Sequence, residues 1–179
     1  VALFSGDNGA LSGTTQATFT NGVASFTNLA ITGRTSTDYV LRFTAGSFTV
    51  DSANLTLTPG VASASTSTVV VSDSTLIANG SATATVTVRL RDAQTNSLVA
   101  SGGTVAITVA TGNGSISTVT NNNDGTYTAT YTSGTVVGIK TISASVNSAT
   151  LTDTEQVTLV PGPATKLRIT QQPTGTSSG

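Results

Sequence analysis

The chain has 179 residues, with 8 acidic and 7 basic side chains and a net charge of −1. A charge this small creates no long-range field that would hold nucleic acid or an anionic membrane, so neither is an expected partner. The sequence contains no His and no Cys, which excludes Ser-His-Asp and Cys-His catalysis and ordinary zinc binding.

Ser and Thr together fill about a third of the chain. Thr is β-branched and favours the pleated, half-exposed surface of a sheet, so the alternation of Thr with Val, Ile and Leu predicts an all-β fold. A hydroxyl-rich surface with few charges is typical of secreted proteins, and we therefore expect an extracellular or cell-surface location. No apolar run reaches membrane-spanning length, so we expect no membrane insertion in this segment.

The first part of the chain is similar in sequence to a later part. VALFSGDNG from Val1 matches VAITVATGNG from Val105, and DSANLTLTPG from Asp51 matches DTEQVTLVPG from Asp153, with the two Pro-Gly pairs 102 residues apart. A repeat of about one hundred residues is therefore present more than once. We interpret residues 1–60 as the C-terminal part of one repeat, which lacks the early strands.

Residues 61–162 contain the pattern of a complete repeat. In ATATVTVRL, the side chains of Ala82, Ala84, Val86, Val88 and Leu90 fall on one face and those of the intervening Thr and Arg residues on the other, so one face is predicted to be core. Turn-forming Asn, Asp and Gly residues separate the segments. The predicted strands lie at 66–71, 82–90, 104–110, 115–120, 126–132, 138–146 and 149–160.

The last part, residues 163–179, begins another alternating run. KLRITQQPTGTSSG aligns with STVVVSDSTLIANG from Ser67, so we interpret these residues as the first strand of a further domain. The sequence thus predicts three parts: an incomplete domain at 1–60, a complete one at 61–162 and the start of a third.

Two motifs point to a family. In NNDGTYTATYTSG, the residues Asp124, Gly125, Tyr127 and Tyr131 form a hairpin pattern that resembles the bacterial immunoglobulin-like repeats of the invasin and intimin group, and more distantly the filamin repeats. A K-L-x-x-x-x-Q-P segment resembles the opening of immunoglobulin-like repeats in very large bacterial surface proteins, and its residues here are Lys166, Leu167, Gln172 and Pro173. These resemblances imply tandem immunoglobulin-like β-sandwiches with Greek-key topology and about seven strands in each complete domain.

The resemblance also implies a function. We expect a non-enzymatic structural repeat of a large extracellular protein, acting as a stalk, spacer or fibre-forming element in adhesion, with neighbouring repeats or identical subunits as its partners. One alternative is a self-assembling filament subunit joined by donor-strand β-augmentation. The other alternative is an adhesin module that binds a ligand or glycan.

Pro and Gly mark the predicted linkers between the domains. Short proline-fixed linkers are stiff, so we expect limited bending at the two junctions. The linker residues are Pro59, Gly60, Pro161, Gly162 and Pro163.

Calcium is the one cofactor that the residue pattern suggests. The side-chain oxygens of Asn121, Asn123 and Asp124 are possible ligands, but a single carboxylate supplies little charge for this ion. The alternative is a hairpin in which Asn and Gly adopt positive φ, and the pattern favours this alternative. We expect no catalytic residues and no other cofactor.

Overall fold

A computed structural model describes residues 1–6, 8–171 and 175 of the chain. These residues form strands and turns and contain no helix, so the predicted all-β fold is confirmed. The N-terminal part, residues 1–60, contains β1 (Ala2–Ser5), β2 (Ala10–Ser12), β3 (Phe19–Thr20), β4 (Val23–Ala24), β5 (Ala30–Thr32), β6 (Asp38–Ala45), β7 (Phe48–Asp51) and β8 (Leu55–Thr56). The C-terminal sandwich, residues 61–162, contains β9 (Thr68–Val71), β10 (Thr75–Ile77), β11 (Thr83–Arg89), β12 (Val105–Thr111), β13 (Gly114–Ile116), β14 (Thr120–Asn121), β15 (Thr126–Ser133), β16 (Gly138–Val146) and β17 (Ala149–Val160).

The C-terminal sandwich has two sheets that enclose one core. One sheet has the order β10-β17-β16-β12, and the other has the order β13-β15-β11-β9 with β14 paired to β15. The predicted alternation along β11 is confirmed, because Ala84, Val86, Val88 and Leu90 are all buried. From the opposite sheet they face buried residues such as Ile142 and Val157. Burial of each such Val, Leu or Ile side chain contributes about 1.5–3 kcal/mol to folding.

An acidic side chain also connects two strands of the sandwich. The backbone N–H of Val69 in β9 donates a hydrogen bond of 2.8 Å to Asp153 Oδ2 in β17. A side chain of β17 thus pairs with a backbone N–H of β9, although the two strands belong to opposite sheets. Asp153 thus helps to hold the opening strand of the sandwich in place.

Two details of the strand prediction differ from the structure. The segment predicted as one strand at 115–120 is divided into β13 and β14, because Ile116 lies opposite Tyr131 and Thr120 opposite Thr128. The advance of four residues from Ile116 to Thr120 therefore lies opposite an advance of only three residues along β15, which is the geometry of a bulge. The strand β10, which pairs in parallel with the end of β17, was not predicted, so the sandwich has nine strand segments where about seven were predicted.

The N-terminal part repeats the pairing pattern of residues 105–160. Antiparallel pairing joins β1 to β6, β2 to β5 and β6 to β7, as it joins β12 to β16, β13 to β15 and β16 to β17. Even the irregularity is shared, since the register shifts between Leu3 and Ser5 on β1 and between Val109 and Thr111 on β12. The sequence repeat therefore reflects a structural repeat.

One face of the N-terminal part is open. Tyr39 and Leu41 are buried, and Phe26 packs edge-to-face on Phe43 with ring centroids 5.4 Å apart. Phe19 is 63% exposed and Phe48 is 81% exposed; both line a mainly apolar cleft of about 340 Å³. A face that is core in the C-terminal sandwich is thus accessible here.

Residues 163–171 follow β17 and are exposed. They form no strand, and the side chains of Leu167 and Ile169 are fully or largely accessible to solvent. Gln172 and Pro173, which complete the K-L-x-x-x-x-Q-P segment, lie outside the described residues. A first strand of a further domain at 163–179 stays a prediction.

Candidate functional site: the joint between the two parts

The linker between the two parts is held by a buried carboxylate. Asp92 is only 2% exposed. Its Oδ2 atom accepts hydrogen bonds of 2.9 Å from the backbone N–H of Gly60 and from the side-chain amide of Asn96. Its Oδ1 atom accepts two more, at 2.9 Å each, from the backbone N–H groups of Gln94 and Asn96. Asp92 therefore fixes the linker and its own turn at once.

Asn96 continues the connection into the N-terminal part. Its Nδ2 atom also donates a 3.1 Å hydrogen bond to the carbonyl oxygen of Gly33. Its Oδ1 atom accepts a 3.0 Å hydrogen bond from the backbone N–H of Thr35. A single buried amide thus pairs with one backbone carbonyl and one backbone N–H of the β5–β6 loop. We call Gly33, Thr35, Gly60, Asp92 and Asn96 together the joint.

The local sequence explains why these side chains converge. Residues 91–97 form a tight turn, in which the N–H of Asp92 donates to the carbonyl of Asn96 and that of Thr95 donates to the carbonyl of Asp92. Thr95 has a φ of +67°, which a β-branched residue adopts only where surrounding contacts hold it. The side chain of Asp92, placed at the start of the turn, then caps the N–H groups that follow it.

Hydrogen bonding keeps Asp92 ionised in spite of its burial. Burial alone would raise the pKa of this carboxyl group, because it disfavours the charged form. The N–H donors of Asn96, Gly60 and Gln94 outweigh that effect, and the pKa lies below its ordinary value. The joint therefore contains a charged carboxylate at neutral pH, and charge-assisted hydrogen bonds are the stronger kind.

Gly60 contributes its N–H group to the joint. A Cβ atom at this position would lie 3.6 Å from the Cβ and Oδ2 atoms of Asp92, which is ordinary van der Waals contact. A small side chain is therefore sterically acceptable here, whereas proline, which lacks the N–H group, would remove the bond to Asp92. Gly60, one of the predicted linker residues, thus lies in a defined contact.

The other predicted linker residues have less contact with the protein. Pro161, Gly162 and Pro163 are exposed where the chain leaves β17. A Cβ atom at Gly162 would lie 3.3 Å from Cγ2 of Ile77, so this glycine runs close to the end of β10. Pro59 precedes the bonded Gly60 and lines a shallow groove with Leu98.

The three calcium candidates lie in a hairpin turn whose oxygens accept hydrogen bonds locally. Asn121 Oδ1 accepts a bond of 2.9 Å from the N–H of Asn123, and Asp124 Oδ1 accepts bonds from the N–H and the hydroxyl of Thr126. Asn123 has a φ of +60°. Among the described residues, no three acidic side chains lie close enough together to hold a metal ion. These hydrogen bonds and the positive φ of Asn123 are those of a hairpin turn.

Neither Asp92 nor Asn96 was predicted from the sequence as a site residue. The available signal was the spacing in DAQTN from Asp92, an acid and an amide four residues apart between two apolar segments. That spacing predicts a capped turn. It does not reveal that the amide reaches Gly33, which is 63 positions away in the sequence.

Residues 63–162 match the family model described as invasin, domain 3. The chain belongs to this family. The predicted resemblance to bacterial immunoglobulin-like adhesin repeats is therefore confirmed, and the C-terminal sandwich is an immunoglobulin-like domain of the invasin domain 3 family.

Solved structures of bacterial adhesins are similar to the chain. The adhesin InvE of Yersinia pseudotuberculosis is 36% identical over 58% of this chain and 29% of its own, with a TM-score of 0.51. The Escherichia coli adhesin FdeC is 25% identical over 88% of this chain and 52% of its own, with a TM-score of 0.50. Invasin, a bacterial integrin-binding protein, shares the fold at 23% identity, with 79% of this chain and 29% of its own covered and a TM-score of 0.52.

The match to InvE and invasin spans less than a third of each of those structures, and the match to FdeC about half. No curated protein sequence matches the chain. Within the described residues, no helix has the length and apolar character needed to cross a membrane.

Proposed function

We propose that this chain is a non-enzymatic spacer of a bacterial cell-surface adhesin, in which the joint holds successive immunoglobulin-like domains at a fixed angle. The observation that carries the proposal is the buried Asp92–Asn96 pair, which bonds both the linker at Gly60 and the loop at Gly33 and Thr35. A linker tied at both sides bends less than one restrained only by proline. Such a spacer would fix the relative orientation of successive domains as well as their separation along the adhesin.

The acidic side chains also support a structural role. Asp92, Asp124 and Asp153 accept hydrogen bonds from backbone N–H groups, and Asp51 forms a bidentate pair with Arg42 at 2.7 Å. Acids used in this way stabilise turns, strands and pairs.

The location and partners follow from the relatives. InvE and FdeC are adhesins, so we place this chain outside the cell, with neighbouring immunoglobulin-like domains of a longer polypeptide as its partners. We further propose that residues 1–60 are the C-terminal part of an immunoglobulin-like domain, and that they do not contain its early strands. Support comes from the strand pairs that residues 1–51 share with residues 105–160.

This division into domains is tested by thermal unfolding of the separate segments. We expect residues 61–162 to unfold cooperatively, because their core is closed. Residues 1–60 should show no cooperative transition, because Phe19, Phe48 and Val50 remain exposed. Equal cooperative unfolding of both segments would overturn the proposed boundaries.

The spacer proposal is tested by ¹⁵N relaxation of the whole chain. If the joint is rigid, strand amides in β6 and in β16 report one common tumbling time. Separate, shorter tumbling times for the two parts would show a flexible hinge and contradict the proposal. The Asn96→Ala variant should separate the two times, whereas Gln94→Ala, an exposed change in the same turn, should not.

The open face of the N-terminal part favours one second candidate, a filament subunit. Phe19, Phe48 and Val50 offer an apolar surface, and Leu167 and Ile169 near the other end of the chain are exposed on a segment that forms no strand. Pairing of that segment with a second copy would cover both. Electron microscopy of the purified chain tests this, because donor-strand pairing predicts fibres, and isolated particles at every concentration would contradict it.

A further inference from the structure

A second apolar surface lies at the far end of the C-terminal sandwich. Ile77 pairs beside Val160 at the end of β17, and Gly138 pairs beside Leu159. The β15–β16 loop between them carries Val136 and Val137, which are 58% and 51% exposed. We call Ile77, Val136, Val137 and Gly162 the end patch. It lies where the chain leaves the sandwich.

The end patch occupies the same structural position as the N-terminal half of the joint. In the N-terminal part, the β5–β6 loop contains Gly33 and Thr35, the partners of Asn96. In the C-terminal sandwich, the corresponding loop between β15 and β16 contains 134–137, since β15 pairs with β13 as β5 pairs with β2. The strands that follow the two loops, β6 and β16, also correspond, because each pairs with an earlier strand (β1 or β12) through a bulge.

The linker that follows the end patch is also equivalent. Pro161-Gly162 stands at the same place in its repeat as Pro59-Gly60, 102 residues later. Gly60 donates its N–H to Asp92 in the following sandwich. Gly162 passes close to Ile77 of the end patch, so its backbone lies at this surface.

We propose that the end patch is a docking surface for the Asp-x-x-x-Asn turn of another invasin-type sandwich, of the kind formed here by Asp92 and Asn96. In this complex the carboxylate accepts the N–H of Gly162, and the amide side chain pairs with the backbone of 134–136. Val136 and Val137 pack against the docked turn. The inference rests on the proposed spacer function, and it extends the observed joint to a second position.

One difference between the two loops does not prevent docking. The N–H of Gly80 already donates to the carbonyl of Gly134 at 3.3 Å. That bond is long, and a carbonyl oxygen has two lone pairs. The incoming amide therefore adds a second donor at this carbonyl without displacing the first.

The test is a whole chain in which residues 61–162 are repeated once, directly after Gly162. The added copy supplies an Asp92–Asn96 turn to the end patch. Hydrogen exchange at the amides of Gly162 and of 134–136 is then compared with exchange in the original chain. We expect these amides to be protected by about tenfold or more in the repeated chain.

Variants confined to the added copy identify the groups responsible. Asn96→Ala in that copy should abolish the new protection at 134–136, and Gln94→Ala should preserve it. Core amides of β11 in the added copy show whether each variant is folded. Protection that survives Asn96→Ala in a folded copy would overturn the proposed contact.

Failure of this inference is distinguishable from failure of the spacer proposal. If Gly60 is protected at the original joint but Gly162 exchanges freely in the repeated chain, the end patch does not dock the turn and the spacer proposal stands. If Gly60 also exchanges freely, both are overturned.

Discussion

The side-chain amide of Asn96 donates a 3.1 Å hydrogen bond to the carbonyl oxygen of Gly33, across 63 positions of sequence. Asn96 is 9% exposed, so its polar groups lie in an environment where unpaired donors and acceptors are costly. The contact therefore stabilises one arrangement of the two parts. A chain that rotated about its linker would leave this amide and the groups around it unpaired.

Replacing Asn96 with alanine should destabilise the chain by about 1–3 kcal/mol, because Gly33, Thr35 and Asp92 each lose a partner. The free energy of unfolding in urea measures this change. Gln94→Ala is the matched control, since Gln94 is exposed in the same turn. Equal stabilities for the two variants would contradict a structural role for the amide.

Gly60 offers a pair of substitutions that separate its size from its N–H group. Gly60→Ala should be nearly neutral, since the added Cβ meets ordinary contact distances of 3.6 Å. Gly60→Pro removes the donor to Asp92 Oδ2 and should cost about 1–3 kcal/mol. Urea unfolding of both variants measures the difference, and an equal cost would mean that the hydrogen bond is unimportant.

The pH dependence of stability should contain a contribution from Asp92. Its pKa is lower in the folded chain than in the unfolded chain, so the carboxylate stabilises the fold above the unfolded-state pKa of about 3.9. That stabilisation is lost as the pH falls through the folded-state pKa. Asp92→Asn should be less stable than the native chain at pH 7, and the gap should narrow on acidification.

Other carboxyl groups contribute to the same pH range, because the pKa values of Asp51 and Asp124 are also lowered by hydrogen bonds from Arg42 and Thr126 respectively. Asp92→Asn leaves both unchanged. The difference in stability between the two chains therefore isolates Asp92. A gap that stays constant from pH 7 to the acid transition would contradict the assignment.

Lys140 is a buried lysine whose ammonium makes one long hydrogen bond. It is 5% exposed, and its ammonium donates to the carbonyl of Val137 at 3.5 Å, the outer limit of a hydrogen bond. Methionine has a similar volume and no charge, so Lys140→Met should stabilise the sandwich by about 1–2 kcal/mol. Lys166→Met, at an exposed site, should have no effect; destabilisation by Lys140→Met would show that the ammonium is needed.

The sequence predicted the parts of the fold that depend on local pattern. Strict alternation placed Val86 and Val88 in the core, and the repeat of the Pro-Gly pair led to the prediction of the linker positions. It did not predict β10, because three residues without alternation carry no periodic signal and their pairing with β17 is distant in sequence. Long-range contacts of this kind have no local signature.

The same limit applies to the aromatic residues and to the joint. Phe19 lies on the two-residue strand β3 and is 63% exposed, because no described strand covers that face. The carboxylate of Asp92 caps its own turn, which is common local chemistry for Asp. The bond to Gly60 and the reach of Asn96 depend on how two distant segments meet, which the spacing of residues in one segment does not specify.

The measurement that tests the spacer account most directly is the distance distribution between two spin labels, one on each side of the joint. The chain contains no Cys, so Thr44→Cys and Thr154→Cys provide unique attachment sites on exposed strand positions of β6 and β17. Pulsed electron spin resonance should give one narrow distribution for the native joint and a broader one with Asn96→Ala. A broad distribution that Asn96→Ala leaves unchanged would contradict the claim that the Asp92–Asn96 pair fixes the angle between the two parts.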